Sequence, residues 1–166
     1  MGNCGLIPKN DAMFRGISVL NLDAKGRLAI PTRYRDGLLG RDGGQVVITL
    51  SDRWDEDHCL WLLPLGEWVE IERKLLSIPT GRQSTRLKRR LLSFATECEL
   101  DRSGRALIPA QLRERAGLEK RIVLTGQGNK FEIWDEVRWD DQCDSWLSEP
   151  LDQDGALPIE METLVL

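Results

Sequence analysis

The stretch Leu22-Asp23-Ala24-Lys25-Gly26-Arg27-Leu28-Ala29-Ile30-Pro31 returns 78 positions later as Leu100-Asp101-Arg102-Ser103-Gly104-Arg105-Ala106-Leu107-Ile108-Pro109. Leu, Asp, Gly, Arg, Ile and Pro recur in place, and Arg35 then maps onto Arg113. Two decapeptides in register point to a tandem duplication rather than to chance. Each copy has the chemistry of a hairpin. The apolar, β-branched run Ile17 to Leu22 favours a strand. Asp23 through Gly26 supply turn residues, because Asp bonds its own backbone and Gly tolerates positive φ. Arg27 to Ile30 forms the return strand. Pro31 and Pro109 suit helix starts, where a missing N–H costs nothing. Gly117 suits the end of the helix Gln111 to Ala116.

The likeness continues more weakly. Val46 to Thr49 resembles Ile122 to Thr125, and Cys59 to Leu63 resembles Lys130 to Trp134; all four read as strands. A helical stretch follows each second strand, led by Trp68 and by Trp139. Each repeat therefore reads strand, turn, strand, short helix, strand, strand, helix. Five segments follow: a disordered extension over 1–12, a first repeat over 13–78, a helical connector over 79–95, a second repeat over 96–147 and an acidic tail over 148–166. Met13 is an alternative start for the chain. In the connector, Arg86 to Ala95 is amphipathic, with Leu87, Leu91, Leu92 and Ala95 on one face. The tail carries five carboxylates and neither Lys nor Arg, and reads as mobile.

The 166 residues are 41% hydrophobic and 30% charged, a globular balance, with a net charge of −4. An acidic chain is no general polyanion binder, so any contact with nucleic acid must come from a local basic patch. The four cysteines, Cys4, Cys59, Cys98 and Cys143, lack metal-ligand or CxxC spacing and read as free thiols in a reducing cytosol. The first residues lack the basic start and apolar run of a secretory leader. No stretch approaches the roughly 20 apolar residues of a membrane helix.

Met13-Phe14-Arg15-Gly16, followed by Leu22 to Arg27 and Ile30-Pro31, resembles the opening of MraZ proteins, and Gly126 to Trp134 resembles their second-half signature. The resemblance spans Met13 to Leu147. It implies an α+β, mainly β fold: the swapped-hairpin, AbrB/MazE-like β-barrel, with two pseudo-symmetric repeats paired inside one chain and flanked by helices. It implies a regulator that assembles into rings, octameric or larger, and binds tandem boxes in double-stranded DNA upstream of the division and cell-wall gene cluster. The cluster, including the regulator's own gene, is then repressed or otherwise controlled. The family's DNA-contacting hairpin maps onto Asp23, Lys25, Gly26 and Arg27, with Arg15 nearby.

On this reading the DNA-binding candidates are Arg15, Lys25, Gly26 and Arg27. Long cations at a hairpin tip can enter the major groove, where Arg pairs bidentately with guanine. Gly26 would let the backbone approach phosphates. Asp23, Asp101, Gly104 and Arg105 are expected to shape the turns. The second turn is the weaker DNA candidate. Ser18 to Gly37 sets four cations against two carboxylates, Thr96 to Arg115 sets four against four, and Ser103 replaces Lys25. The cluster Arg82, Arg86, Lys88, Arg89 and Arg90 reads first as a solvated or salt-bridged face and second as a phosphate contact. The six tryptophans read as packing residues rather than base-stacking platforms. His58 beside Cys59, in a chain with a single histidine, suggests neither a metal site nor a nucleophile–base pair. No catalytic residues, cofactor, metal, membrane partner or small-molecule substrate are expected, and the location is the cytoplasm at the nucleoid. The competing reading is an antitoxin-like or scaffolding module that holds another protein with the same barrel.

Overall fold

The computed structural model describes residues 13–162 and Leu164. The expected disordered extension over 1–12, and Cys4 with it, lie outside the described residues. The first repeat contains strands β1 (Phe14–Asn21) and β2 (Arg27–Ala29), helix α1 (Thr32–Leu39), strand β3 (Gln45–Leu50), the one-turn helix α2 (Trp54–Asp57), strand β4 (Leu60–Pro64) and helix α3 (Leu65–Ser77). Helix α4 (Arg82–Ser93) follows. The second repeat contains β5 (Thr96–Glu99), β6 (Arg105–Leu107), α5 (Ala110–Arg115), β7 (Arg121–Gly128), β8 (Phe131–Asp135) and α6 (Glu136–Ser148).

The repeats exchange their first strands. β1 pairs with β7 of the second repeat, and β5 pairs with β3 of the first, both antiparallel. The result is one six-stranded sheet in the order β1-β7-β8-β4-β3-β5, joined at its centre by β4 and β8. The return strands β2 and β6 pair with each other: Arg27 faces Leu107, Leu28 faces Ala106 and Ala29 faces Arg105. That reciprocal register is a pseudo-two-fold between equivalent residues. The expected barrel is therefore an open sheet closed over by a two-stranded ribbon rather than one continuous cylinder. Among the described residues β1 and β5 are the two edges of this sheet and do not pair with each other.

The main core lies between the sheet and the ribbon. Leu28, Ile30, Ala106 and Ile108 from the ribbon side meet Ile48, Leu62, Phe131 and Ile133 from the sheet, all fully buried. The three rings of Phe14, Tyr34 and Phe131 pack at 4.3–6.0 Å and link β1, α1 and β8. The other face of the first repeat's strands carries Val47, Trp61 and Leu63, covered by Trp68 and Leu75 of α3 and Leu91 of α4. The amphipathic stripe read from the connector is the packed one: Leu87, Leu92 and Ala95 lie partly buried against this cluster. Trp61, Trp68 and Trp134 are buried in the packing.

Helix ends follow local chemistry. Pro31 and Pro109 stand one residue before α1 and α5, with φ near −55° but ψ still extended at 140–142°, so each strand turns into helix at the next residue. Gly117, at φ +63°, ends α5 in a Schellman turn in which the Leu118 amide donates to the Arg113 carbonyl at 2.9 Å. Helices α3 and α6 begin three residues before the tryptophans that mark them in the sequence. At α3 an aspartate from a distant loop satisfies an end amide: Gly66 N–H donates to Asp42 Oδ2 at 2.9 Å. The short α2 has no periodic signal to announce it.

Residues from Val137 onward form a separate compact unit. Within it the Trp139 and Trp146 rings meet edge to face at 5.2 Å, turns occupy 151–154, and the one-turn helix α7 (Ile159–Glu162) follows.

Candidate nucleic-acid interface

The Asp23–Arg27 turn is built around one carboxylate. Asp23 Oδ1 accepts the amides of Lys25 at 2.9 Å and Arg27 at 2.8 Å, and Oδ2 accepts Arg27 Nε at 2.6 Å. Backbone bonds from Asp23 N–H to the Arg27 carbonyl and from Gly26 N–H to the Asp23 carbonyl close the loop. The Asp101–Arg105 turn repeats every one of these contacts. Ser103 and Arg105 amides and Arg105 Nε all donate to Asp101 at 2.9 Å. The arginine N–H groups hold both carboxyls below the ordinary aspartate range, with the Arg27 amide the largest cause at Asp23 and the Arg105 amide at Asp101.

Gly26 and Gly104 have φ of +83° and +74°, a region most side chains avoid. Both are buried beneath an arginine from the opposite repeat. A Cβ on Gly26 would stand 2.4 Å from the Arg113 guanidinium, and one on Gly104 would stand 2.5 Å from Arg35 Nε. Those arginines are tied by their Nε to the carbonyls of Ile108 and Ile30, at 3.0 and 2.7 Å. The Ile30 and Ile108 amides in turn donate to the Gly104 and Gly26 carbonyls. The glycines thus make room for crossing arginines, and the space above Gly26 belongs to Arg113 rather than to open backbone.

Lys25 and Ala24 are exposed at the tip. Arg27 is partly buried, and its Nε is committed to Asp23 in the way Arg105 is committed to Asp101. Its terminal nitrogens have no hydrogen-bond partner among the described residues. Arg105 reaches Asp23 as well, at 3.8 Å. Arg15 is exposed, but it sits at the opposite end of β1, roughly 20 Å from Asn21 at a strand rise of about 3.3 Å per residue. The structure brings Lys25, Gly26 and Arg27 together and leaves Arg15 apart.

Two cations that sequence reasoning missed lie at the first turn. A concavity of about 440 Å³ is lined by Leu22, Asp23, Ala24, Gly26, Arg113, Leu118, Glu119 and Lys120. Leu22 N–H bonds the Lys120 carbonyl at 2.7 Å, so that loop is fixed against the turn. The 78-residue offset relates Arg113 to Arg35, but no local signal says that each arginine crosses to the other repeat's turn.

The edge strands differ as well. β1 exposes Arg15, Ile17 and Val19, whereas β5 exposes Glu97 and Glu99. In the basic α4, Arg90 makes a two-pronged ion pair with Asp55 at 3.0 and 3.1 Å, and Lys88 donates to the Ile78 carbonyl. Arg82, Arg86 and Arg89 remain exposed.

Strand exchange between two like halves, a symmetric central ribbon and a carboxylate-braced turn at each end define a swapped-hairpin protein with both halves in one chain. The chain belongs to the MraZ family. The family model described as "MraZ protein, putative antitoxin-like" matches twice, over residues 13–91 and 91–157. Curated relatives named "Transcriptional regulator MraZ" include that of Halorhodospira halophila, 55% identical over 93% of this chain and all of its own length. That of Thioalkalivibrio sulfidiphilus is 54% identical over 82% of this chain and 89% of its own. That of Pseudomonas aeruginosa is 48% identical over 93% of this chain and all of its own. These relatives are named as regulators, not as enzymes. Among the described residues no helix is long and apolar enough to cross a membrane.

Proposed function

We propose that this protein is a transcription regulator that binds double-stranded promoter DNA sequence-specifically through its first turn. The observation that carries the reading is an exposed Lys25 on a turn whose shape is fixed before any ligand arrives. Asp23 braces the backbone, and Arg113 and Lys120 add positive charge from the side. A rigid, cation-tipped β-ribbon loses little entropy on entering a major groove. Lys25 contacts phosphate, and Arg27, steadied through its Nε, presents its terminal nitrogens to a base edge. Gly26 contributes by seating Arg113. Arg15, far along β1, meets DNA only as a separate phosphate contact.

One such turn offers few contacts, so the protein acts as a homo-oligomeric ring, octameric or larger, on tandem boxes. Linked copies raise affinity by about 10²–10⁴ without any new contact. The target is the division and cell-wall gene cluster, including the regulator's own gene, which the protein represses from the cytoplasm at the nucleoid. No small molecule takes part.

Footprinting of the DNA upstream of its own gene, at several salt concentrations, tests the reading. Protected boxes at fixed spacing are expected. Arg27→Ala should weaken each site by about 1–3 kcal/mol, while Arg102→Ala, which removes an exposed cation from the tip of the other turn, should leave the footprint. Unchanged retardation by Arg27→Ala, or equal loss from both variants, defeats the assignment.

The exposed Ile17 and Val19 on edge strand β1 favour a second reading, an antitoxin-like or scaffolding module that adds a partner's strand. A stoichiometric protein partner that competes with promoter DNA would support it.

A further inference from the structure

A second constellation lies away from the turns, where the end of α2 and the start of β4 meet β8. Asp57 ends α2, Cys59 precedes β4, and Glu132 on β8 faces Trp61 on β4. One carboxylate oxygen from each acid and the Cys59 Sγ all lie within 4.8 Å of one another. The thiol is fully buried and both carboxylates are half-buried. Ser51 sits beside them: its amide donates to the Cys59 carbonyl at 3.1 Å across the β3–β4 hairpin. Ser51 is 1% exposed, and its hydroxyl finds no hydrogen-bond partner of good geometry. That hydroxyl lies against the Cys59 sulfur, where it favours the thiolate.

Burial pushes the Glu132 carboxyl up, and Asp57 and Asp52 push it further. Burial also raises the Cys59 thiol, with Glu132 adding to the effect. Against these stand the Trp134 indole N–H, which donates to Glu132 at 3.1 Å, and Lys130, whose ammonium lies 4.8 Å above the Trp61 ring. A buried thiol and two half-buried carboxylates from two repeats thus converge on one point, a mixed sulfur and oxygen donor set that a divalent cation can draw together.

We propose that Asp57, Cys59 and Glu132 form a binding site for a zinc-class divalent cation, which ties the entry to β4 in the first repeat to β8 in the second. A thiolate with two carboxylates suits borderline-soft zinc, whereas magnesium and calcium take oxygen alone. Zinc bonds of about 2.0–2.3 Å set tetrahedral ligand atoms about 3.3–3.8 Å apart, so the three side chains close by about 1 Å. A fourth position is left to water. As the ion binds, the thiol proton passes to solvent and the sulfur becomes a metal-bound thiolate. That thiolate gives the Ser51 hydroxyl the acceptor it lacks. The spacing of histidines and cysteines in the sequence does not announce the site, because its ligands are mixed and one comes from the other repeat.

The test uses the full chain in metal-free buffer with cobalt(II) as the probe. One cobalt per chain is expected, with a thiolate-to-metal charge-transfer band that zinc abolishes, and zinc should raise the thermal midpoint. Cys59→Ser should lose the band. Asp57→Asn and Glu132→Gln should weaken cobalt binding by about tenfold or more. Glu97→Gln, distant on β5, should bind as the parent does. If Cys59→Ser does not fold, Asp57→Asn at the helix end carries the test. A cobalt spectrum without the band, a midpoint indifferent to zinc, or parent-like binding by both carboxylate variants overturns the proposal. So does a band that survives in folded Cys59→Ser.

Discussion

In the first turn Asp23 holds the Arg27 guanidinium and two backbone amides, and in the second Asp101 holds Arg105 and two amides in the same way. The bracing is duplicated, down to the arginine that crosses over each glycine. What the turns present is not duplicated. The first offers Ala24 and Lys25 where the second offers Arg102 and Ser103. The strand leading into the first exposes Ile17 and Val19, and the one leading into the second exposes Glu97 and Glu99. Carboxylates beside a tip repel phosphate, so under the proposed function the second turn is expected to be the poorer DNA contact on the same scaffold. The lesson is that duplication kept the hydrogen bonds that brace the turn and let the side chains at its tip diverge.

The largest effect should come from the ribbon that joins the halves. Leu28 faces Ala106 across it, both fully buried. Leu28→Ala removes a packed side chain from the centre of the pseudo-symmetry and should cost about 2–5 kcal/mol, read as a lower urea midpoint. A near-neutral result would mean the ribbon is not where the halves are held together.

Next come the glycines. Gly26→Ala and Gly104→Ala each force a side chain into positive φ and against an arginine tethered to a carbonyl. Each should lose about 1–3 kcal/mol of stability, and by similar amounts. Unequal losses in thermal unfolding would break the claim that the two scaffolds are equivalent.

The smallest effect is the pH dependence. Both turn aspartates are held below their ordinary value of 3.8. A depressed carboxyl contributes stability that is present above its unfolded value and lost as pH falls through the lower folded value. The urea midpoint should therefore decline as pH drops below about 4. Asp23→Asn and Asp101→Asn should each flatten that decline by comparable amounts, since both groups are solvent-facing and well screened.

Much of this was legible in the sequence. The repeated decapeptide gave the turns and the pseudo-symmetry because turn chemistry is local: an Asp that bonds its own backbone and a Gly at positive φ declare themselves in a few residues. The Leu87, Leu91 and Leu92 stripe announced α4 for the same reason, although the helix spans Arg82–Ser93 rather than Arg86 to Ala95 and leaves Ala95 beyond its end. Partner choice was not legible. That β1 pairs with β7, or that Arg113 lies over Gly26, depends on which surfaces meet in the folded chain, and periodicity within one strand carries no such information. Counting charges within each window therefore missed Arg113 and Lys120 at the first turn. The family resemblance also implied that Arg15 lies near Lys25, whereas an extended strand separates them.

Salt-dependent binding of a promoter fragment by two variants, Lys25→Ala and Arg102→Ala, tests the division of labour between the turns most directly. The expected result is a weaker complex for Lys25→Ala, with the slope of log affinity against log salt reduced by about 1 per turn engaged, and parental behaviour for Arg102→Ala. The reverse pattern, or parental binding by both, would contradict the assignment of DNA to the first turn.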